Sequence, residues 1–178
     1  MKFLLLFLFL NVFGSVMAQN NNYFQFSSLP NLPPNSGYLV QPGLAGSYTG
    51  IDDDVLIVAG GANFPDKLPW EGGEKVFYDE IFILRTNSTG DYSWEKADEK
   101  IPFTAGYGGA VETPNGLLCF GGNTKDKTVS ESWFVNYVPK KETVEVTAGP
   151  KLPVALTNFA FTKVDNRIFV AGGISEFG

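Results

Sequence analysis

An all-β fold of repeated four-stranded units is predicted for this chain by three observations. An apolar strand ending in Gly-Gly occurs three times: Gly60-Gly61 after residues 55–59, Gly121-Gly122 after 117–120, and Gly172-Gly173 after 168–171. The copies are 61 and 51 residues apart, and in the last two an Ile-Pro or Leu-Pro stands 20 residues before the first glycine. The composition agrees, because 20 Gly, 11 Pro and 15% aromatic residues suit a turn-rich β domain. One diglycine per roughly 50 residues is the period of a single propeller blade.

The elements follow in order. Residues 1–18 read as a secretory signal peptide: Lys2 is basic, 3–13 is apolar apart from Asn11, and Val16-Met17-Ala18 ends in small residues. The stretch is too short for a membrane span, so the protein is expected to be exported, periplasmic or secreted. Residues 19–37 read as the outer strand of a closing blade and a linker, with Tyr23-Phe24-Gln25-Phe26 leading into Leu29-Pro30 and Leu32-Pro33. Residues 38–97 form a blade: Gly50-Ile51 enters an Asp52-Asp53-Asp54 turn, 55–59 is strand two, 78–84 strand three, and Trp94 marks the outer strand. Residues 98–147 repeat it, with 109–112, a Thr113-Pro114-Asn115-Gly116 turn whose Asn-Gly is placed for positive φ, then 117–120, 132–137 and 142–146. Residues 148–178 begin a third blade with strands at 159–164 and 168–171 around Asp165-Asn166. The whole is a kelch-type β-propeller pattern, about two and a half blades long. Half a propeller leaves apolar blade faces open, so the chain reads as the N-terminal half of a longer protein whose C-terminal blades are its partner.

Composition excludes several functions. There is no histidine, which removes imidazole metal ligands and Ser-His or Cys-His dyads. The one cysteine, Cys119, excludes an internal disulfide framework and, lying in an apolar strand, reads as a small core residue. A net charge of −6 without basic clusters argues against nucleic acid. The diglycines are structural, since no phosphate-cradle pattern follows them.

Topology narrows the search for chemistry. In an up-down blade, the start of strand one and the end of strand two share an edge. One channel mouth therefore collects residues 42–48, Asn63-Phe64-Pro65 and the loop to Tyr78, 104–107, Asn123, and Thr157-Asn158. The loop 62–77 is longer than a hairpin needs, while its counterpart 123–129 is short. It carries Asp66, Lys67, Trp70, Glu71, Glu74 and Lys75 around Gly72-Gly73. Two readings stay open: a sugar-stacking Trp70 beside acid–base groups, or a surface loop whose Trp covers the blade edge.

The stretches QPGLAGSYTGIDDDVLIVAGGANFP, PWEGGEKVFYDEIFIL and TAGYGGAVETPNGLLCFGG resemble the kelch-type N-acetylneuraminate epimerases, or sialic acid mutarotases, in their cyclically permuted branch. The resemblance implies a six-bladed propeller, periplasmic in bacteria, that accelerates exchange between the α and β anomers of the free sugar. Such a reaction needs a base for the anomeric hydroxyl, an acid for the ring oxygen and a positive charge for the sugar carboxylate. It requires no metal or cofactor. On placement, Glu71 is the acid–base residue and Lys75 the carboxylate partner. Trp70 stacks on the sugar, and Ser47, Asn63, Tyr107 and Asn158 are hydroxyl and N-acetyl contacts. One departure is notable: unpermuted members carry an arginine at the start of the blade matching 153–161, where this chain has no basic residue before Lys163. A non-catalytic kelch module binding carbohydrate or protein is the alternative, because propellers host many functions. An exported propeller oxidase is disfavoured by the missing histidines.

Overall fold

The computed structural model describes residues 24, 26–35 and 38–175. The proposed signal peptide, Tyr23 and Gln25 lie outside the described residues. In chain order the strands are β1 (Tyr48–Asp52), β2 (Val55–Ala59), β3 (Ala62–Asn63), β4 (Val76–Phe77), β5 (Glu80–Thr86), β6 (Tyr92–Lys100), β7 (Gly109–Thr113), β8 (Gly116–Phe120), β9 (Ser132–Val138), β10 (Thr143–Ala148), β11 (Ala160–Val164) and β12 (Arg167–Ala171). They form two four-stranded antiparallel blades, β1-β2-β5-β6 and β7-β8-β9-β10, followed by the hairpin β11-β12. Strands β1, β7 and β11 are the innermost of each unit and pack beside one another in that order. The fold is all-β and built of kelch-type propeller blades.

Side-chain alternation explains the stacking. Strand β8 is buried along its whole length because a neighbour covers each of its faces. Leu117 and Cys119 enter the cluster shared with Ile57, Ala59 and Ile83 of the first blade. Leu118 and Phe120 enter the cluster shared with Phe159 and Val170 of the third unit. Each fully buried Leu, Ile or Phe among them contributes about 1.5–3 kcal/mol by leaving water. Trp133 is fully buried between edge-on rings, 5.0 Å from Tyr48 and 5.3 Å from Phe103. Cys119 is likewise fully buried, and burial pushes its thiol pKa up, as befits a core residue.

Two buried polar bonds also tie the first blade to the second. The Tyr48 hydroxyl donates to Gly121 O at 2.7 Å, and burial pushes its pKa up. The Tyr137 N–H donates to Asp52 Oδ2 at 2.6 Å. Asp52 is 8% exposed, and burial first, then the nearby Asp53 and Glu112 carboxylates, raise its pKa despite that bond. The folded state therefore holds the Asp52 proton more tightly than the unfolded chain does. Its favourable contribution is full below the ordinary Asp value and is lost as pH rises through the raised one. Asp52→Asn keeps an acceptor without charge, so urea midpoints should show the unsubstituted protein gaining on the variant as pH falls from 7 towards 4. A difference independent of pH would contradict this account of Asp52.

The structure departs from the sequence expectations at three places. Strand three of the first blade starts at Glu80, not Tyr78, because the residues before it bond to neighbouring segments. Tyr78 N–H donates to Gly61 O, Tyr78 O accepts from Ala105, and Asp79 O accepts from Ile101. Of Asn115-Gly116, only Gly116 takes a positive φ, 105°, where a Cβ would fall 2.8 Å from Val135 O. Phe24 and Phe26 are largely exposed and pair with no strand among the described residues. The segment after them instead lies along β6: Trp94 Nε1 donates to Pro30 O at 2.8 Å and Lys96 Nζ to Asn35 Oδ1 at 2.8 Å. Finally, loop 62–77 has a paired base, with Ala62 opposite Phe77 and Asn63 opposite Val76. A short 3₁₀ turn, Pro69–Glu71, forms its tip.

Candidate functional site

The shared edge expected from topology is built by one backbone device used three times. Antiparallel bridges join Ala45 to Ala62, Gly106 to Asn123 and Thr157 to Ile174. In each unit this sets the segment before the innermost strand against the residue after the diglycine. The next residues, Gly46, Tyr107 and Asn158, are all left-handed, with φ of 64°, 62° and 53°. Tyr107 N–H donates to Gly46 O at 2.7 Å, and Asn158 N–H to Tyr107 O at 2.9 Å. A second ladder runs through the diglycines, from Gly61 N–H to Ala105 O at 2.8 Å and from Gly122 N–H to Leu156 O at 2.7 Å. The Thr157 hydroxyl lies 3.1 Å from both Tyr107 O and the Asn123 side-chain oxygen. Backbone strain is thus held at the mouth by bonds between units, the usual mark of an over-determined site.

Onto this frame the β3-β4 base projects Lys75. Its Nζ lies 4.8 Å from the Tyr107 ring centroid, 5.6 Å from Phe64 and 6.0 Å from Phe77. Phe77 and Tyr107 meet edge to face at 6.3 Å. Each cation–π contact is worth about 0.5–1 kcal/mol at such half-exposed positions. Lys75 forms no ion pair with a carboxylate among the described residues. It borders a cleft of about 320 Å³ with Glu74, Phe77, Asn123 and Lys125. An adjoining recess of about 240 Å³ reaches Thr104. The size and the mixture of aromatic and charged groups suit a small polar ligand carrying negative charge.

Among the expected site residues, only Lys75 borders the cleft. Asn63 Oδ1 accepts from the Tyr78 hydroxyl at 2.8 Å, while its buried Nδ2 has no acceptor among the described residues. Burial and the neighbouring Tyr38 raise the Tyr78 pKa. Ser47 is turned to the backbone, donating to Gly60 O at 3.3 Å. Asn158 is exposed at the mouth, and Trp70 is 79% exposed on the loop tip. Glu71 is exposed and accepts from Leu68 N–H at 3.3 Å, closing its own turn. The structure therefore brings Lys75 and Tyr107 together, while Ser47, Asn63, Trp70, Glu71, Tyr107 and Asn158 are not among the residues bordering the cleft. Sequence reasoning did not assign Phe77, Glu74 or Lys125 to the site. Placing them requires knowing how consecutive blades stack.

A larger groove of about 390 Å³ lies at the opposite edge of the first blade, among Leu29, Ile51, Leu56, Leu84, Arg85 and Tyr92. Its cation, Arg85, is already paired with Glu95 and Glu142, each at 2.7 Å. Charge recognition therefore favours the smaller cleft at the mouth.

A model of the N-acetylneuraminate epimerase family matches residues 14–144. The N-acetylneuraminate epimerase of Pasteurella multocida (strain Pm70) is 37% identical over 131 residues, covering 67% of this chain and 34% of that protein. That of Haemophilus influenzae (strain 86-028NP) is 32% identical over 131 residues, covering 68% of this chain and 33% of that protein. The solved structure of YjhT superposes with a TM-score of 0.50 at 30% identity, over 65% of this chain and 33% of that one. The chain thus spans about a third of the length of the relatives it matches.

Proposed function

The chain belongs to the N-acetylneuraminate epimerase family, and from that premise we propose that it serves an exported sugar mutarotase. The reaction interconverts the α and β anomers of N-acetylneuraminate or a related sialic acid by acid–base ring opening. The observation that carries this reading is the Lys75 ammonium, poised over three aromatic rings and without a carboxylate partner among the described residues, in a cleft of monosaccharide size.

Ring opening is redox-neutral. A base takes the proton of the anomeric hydroxyl, the bond from the anomeric carbon to the ring oxygen breaks, and an acid delivers a proton to that oxygen. The resulting ketone recloses on either face with both proton transfers reversed. The positive charge of Lys75 holds the sugar carboxylate. The aromatic rings around it exclude water on one side, which strengthens the ion pair. Tyr107 lies one residue from the bridge that fixes the mouth, so its ring is held by backbone bonds. Asn63 is the hydroxyl or N-acetyl contact in this scheme, its buried Nδ2 donor reaching the sugar only if the side chain turns from Tyr78. Ser47 and Asn158 line the same edge, and Trp70 offers a face for stacking. Glu71 is the acid–base residue in this scheme, reaching the sugar by release of its bond to Leu68.

That bond also favours the second reading, a kelch module that binds a sugar acid without turning it over, because a carboxylate occupied in its own turn is not aimed at a ligand. Proton NMR of freshly dissolved β-anomer separates the two. The mutarotase reading expects faster anomer exchange on adding protein, and a loss of about 100-fold or more in Glu71→Gln, the usual scale for a general acid–base residue. Saturable binding with an unchanged exchange rate leaves the binding module. A near-normal rate in the variant removes Glu71 from the mechanism.

A further inference from the structure

Two loops from consecutive blades meet beside Lys75. Glu74 follows Gly72-Gly73 in the long loop of the first blade. Lys125 sits in the tight loop of the second, closed by Thr124 N–H to Lys127 O at 2.9 Å. The two side chains form an ion pair across the gap, and both border the clefts that Lys75 borders. The pair lowers the Glu74 pKa and raises that of Lys125, by hydrogen bonding first and charge second. Both side chains are mostly exposed, 71% and 65%. An exposed pair of this kind is weak and exchanges readily with other anions. Among the described residues the cleft is bordered by two lysines and one carboxylate, and that carboxylate occupies only one of them.

We propose that Glu74 is a built-in competitor: its carboxylate holds Lys125 until a sugar carboxylate, entering beside Lys75, takes its place. This inference rests on the sugar-acid reading given above and deepens it. Exchange of one carboxylate for another leaves the charge balance of Lys125 unchanged. A neutral sugar brings no replacement and leaves the Glu74–Lys125 pair closed across the cleft. Glu74 thereby sets the affinity for sugar acids by competing with the ligand, and it leaves affinity for neutral sugars untouched.

Titration calorimetry with N-acetylneuraminate and neutral N-acetylmannosamine tests this. Removing one exposed competitor is expected to make Glu74→Gln bind N-acetylneuraminate about two- to fivefold more tightly. N-acetylmannosamine should show no such gain. In Lys125→Met, N-acetylneuraminate should bind more weakly, and the further change Glu74→Gln should then have no effect. Urea unfolding midpoints of these surface variants should match the unsubstituted protein. Unchanged or weaker binding in Glu74→Gln overturns the exchange, as does an equal gain for the neutral sugar or a gain that persists without Lys125. If the unsubstituted protein binds N-acetylneuraminate and only the Glu74 effect is missing, the exchange alone falls. If it does not bind N-acetylneuraminate, the sugar-acid reading falls with it.

Discussion

Gly122→Ala is expected to destabilise the fold by about 3 kcal/mol or more, the range of severe single substitutions. Gly122 has φ of 100°, where an L side chain is strained whatever the space around it. A Cβ there would also fall onto the Tyr48 hydroxyl and 2.5 Å from Gly106 O. Neither neighbour can yield cheaply. The Tyr48 hydroxyl is committed to Gly121 O, and Gly106 O accepts the Asn123 N–H at 2.8 Å. Gly122 N–H itself reaches the third unit through Leu156 O. One methyl group therefore disturbs the contact between the first and second blades and the ladder to the third. Gly90→Ala is the control: its φ is 86° and nothing among the described residues lies within 4 Å, so it should cost only the backbone term of about 1–2 kcal/mol. Urea unfolding of both variants checks the contrast, and equal losses would mean that the close approach at Gly122 is not a constraint.

The largest functional effect is expected at Lys75. A hydrogen-bonded charge pair contributes about 1.5–3 kcal/mol, so Lys75→Met should weaken N-acetylneuraminate binding by roughly 10- to 150-fold. Methionine preserves the length and apolar stem that lie over Phe64, Phe77 and Tyr107, so the fold loses at most the cation–π contacts. Affinity for N-acetylmannosamine, which has no carboxylate, should change little. Equal losses for both sugars would indicate a damaged cleft, and an unchanged affinity would remove Lys75 from recognition.

Much of the blade architecture was legible because its requirements are local. Positive φ after an apolar strand is written as Gly-Gly, and the Leu117–Phe120 alternation reports burial on two faces. The mouth was legible too, since Ala45, Gly106 and Thr157 repeat at the diglycine spacing and bridge the residues expected beside them. What escaped depends on how units stack. Tyr107 belongs to one blade and Phe77 and Lys75 to another, so their cage has no signature along the chain. The Glu74–Lys125 pair joins loops 51 residues apart, and the shorter loop drew no attention because its length is ordinary. Between Glu71 and Lys75 the chain turns back at Gly72-Gly73, whose N–H groups bond to Pro69 O and Leu68 O, and Glu71 closes that turn, a local geometry that their closeness in sequence does not reveal.

A crystal structure with N-acetylneuraminate bound tests the central claim most directly. The account predicts the sugar carboxylate within hydrogen-bond distance of Lys75 Nζ, beside Tyr107 in the cleft at the mouth. A sugar seated in the groove of Leu29, Leu84 and Tyr92 at the opposite edge, with Lys75 untouched, would contradict it.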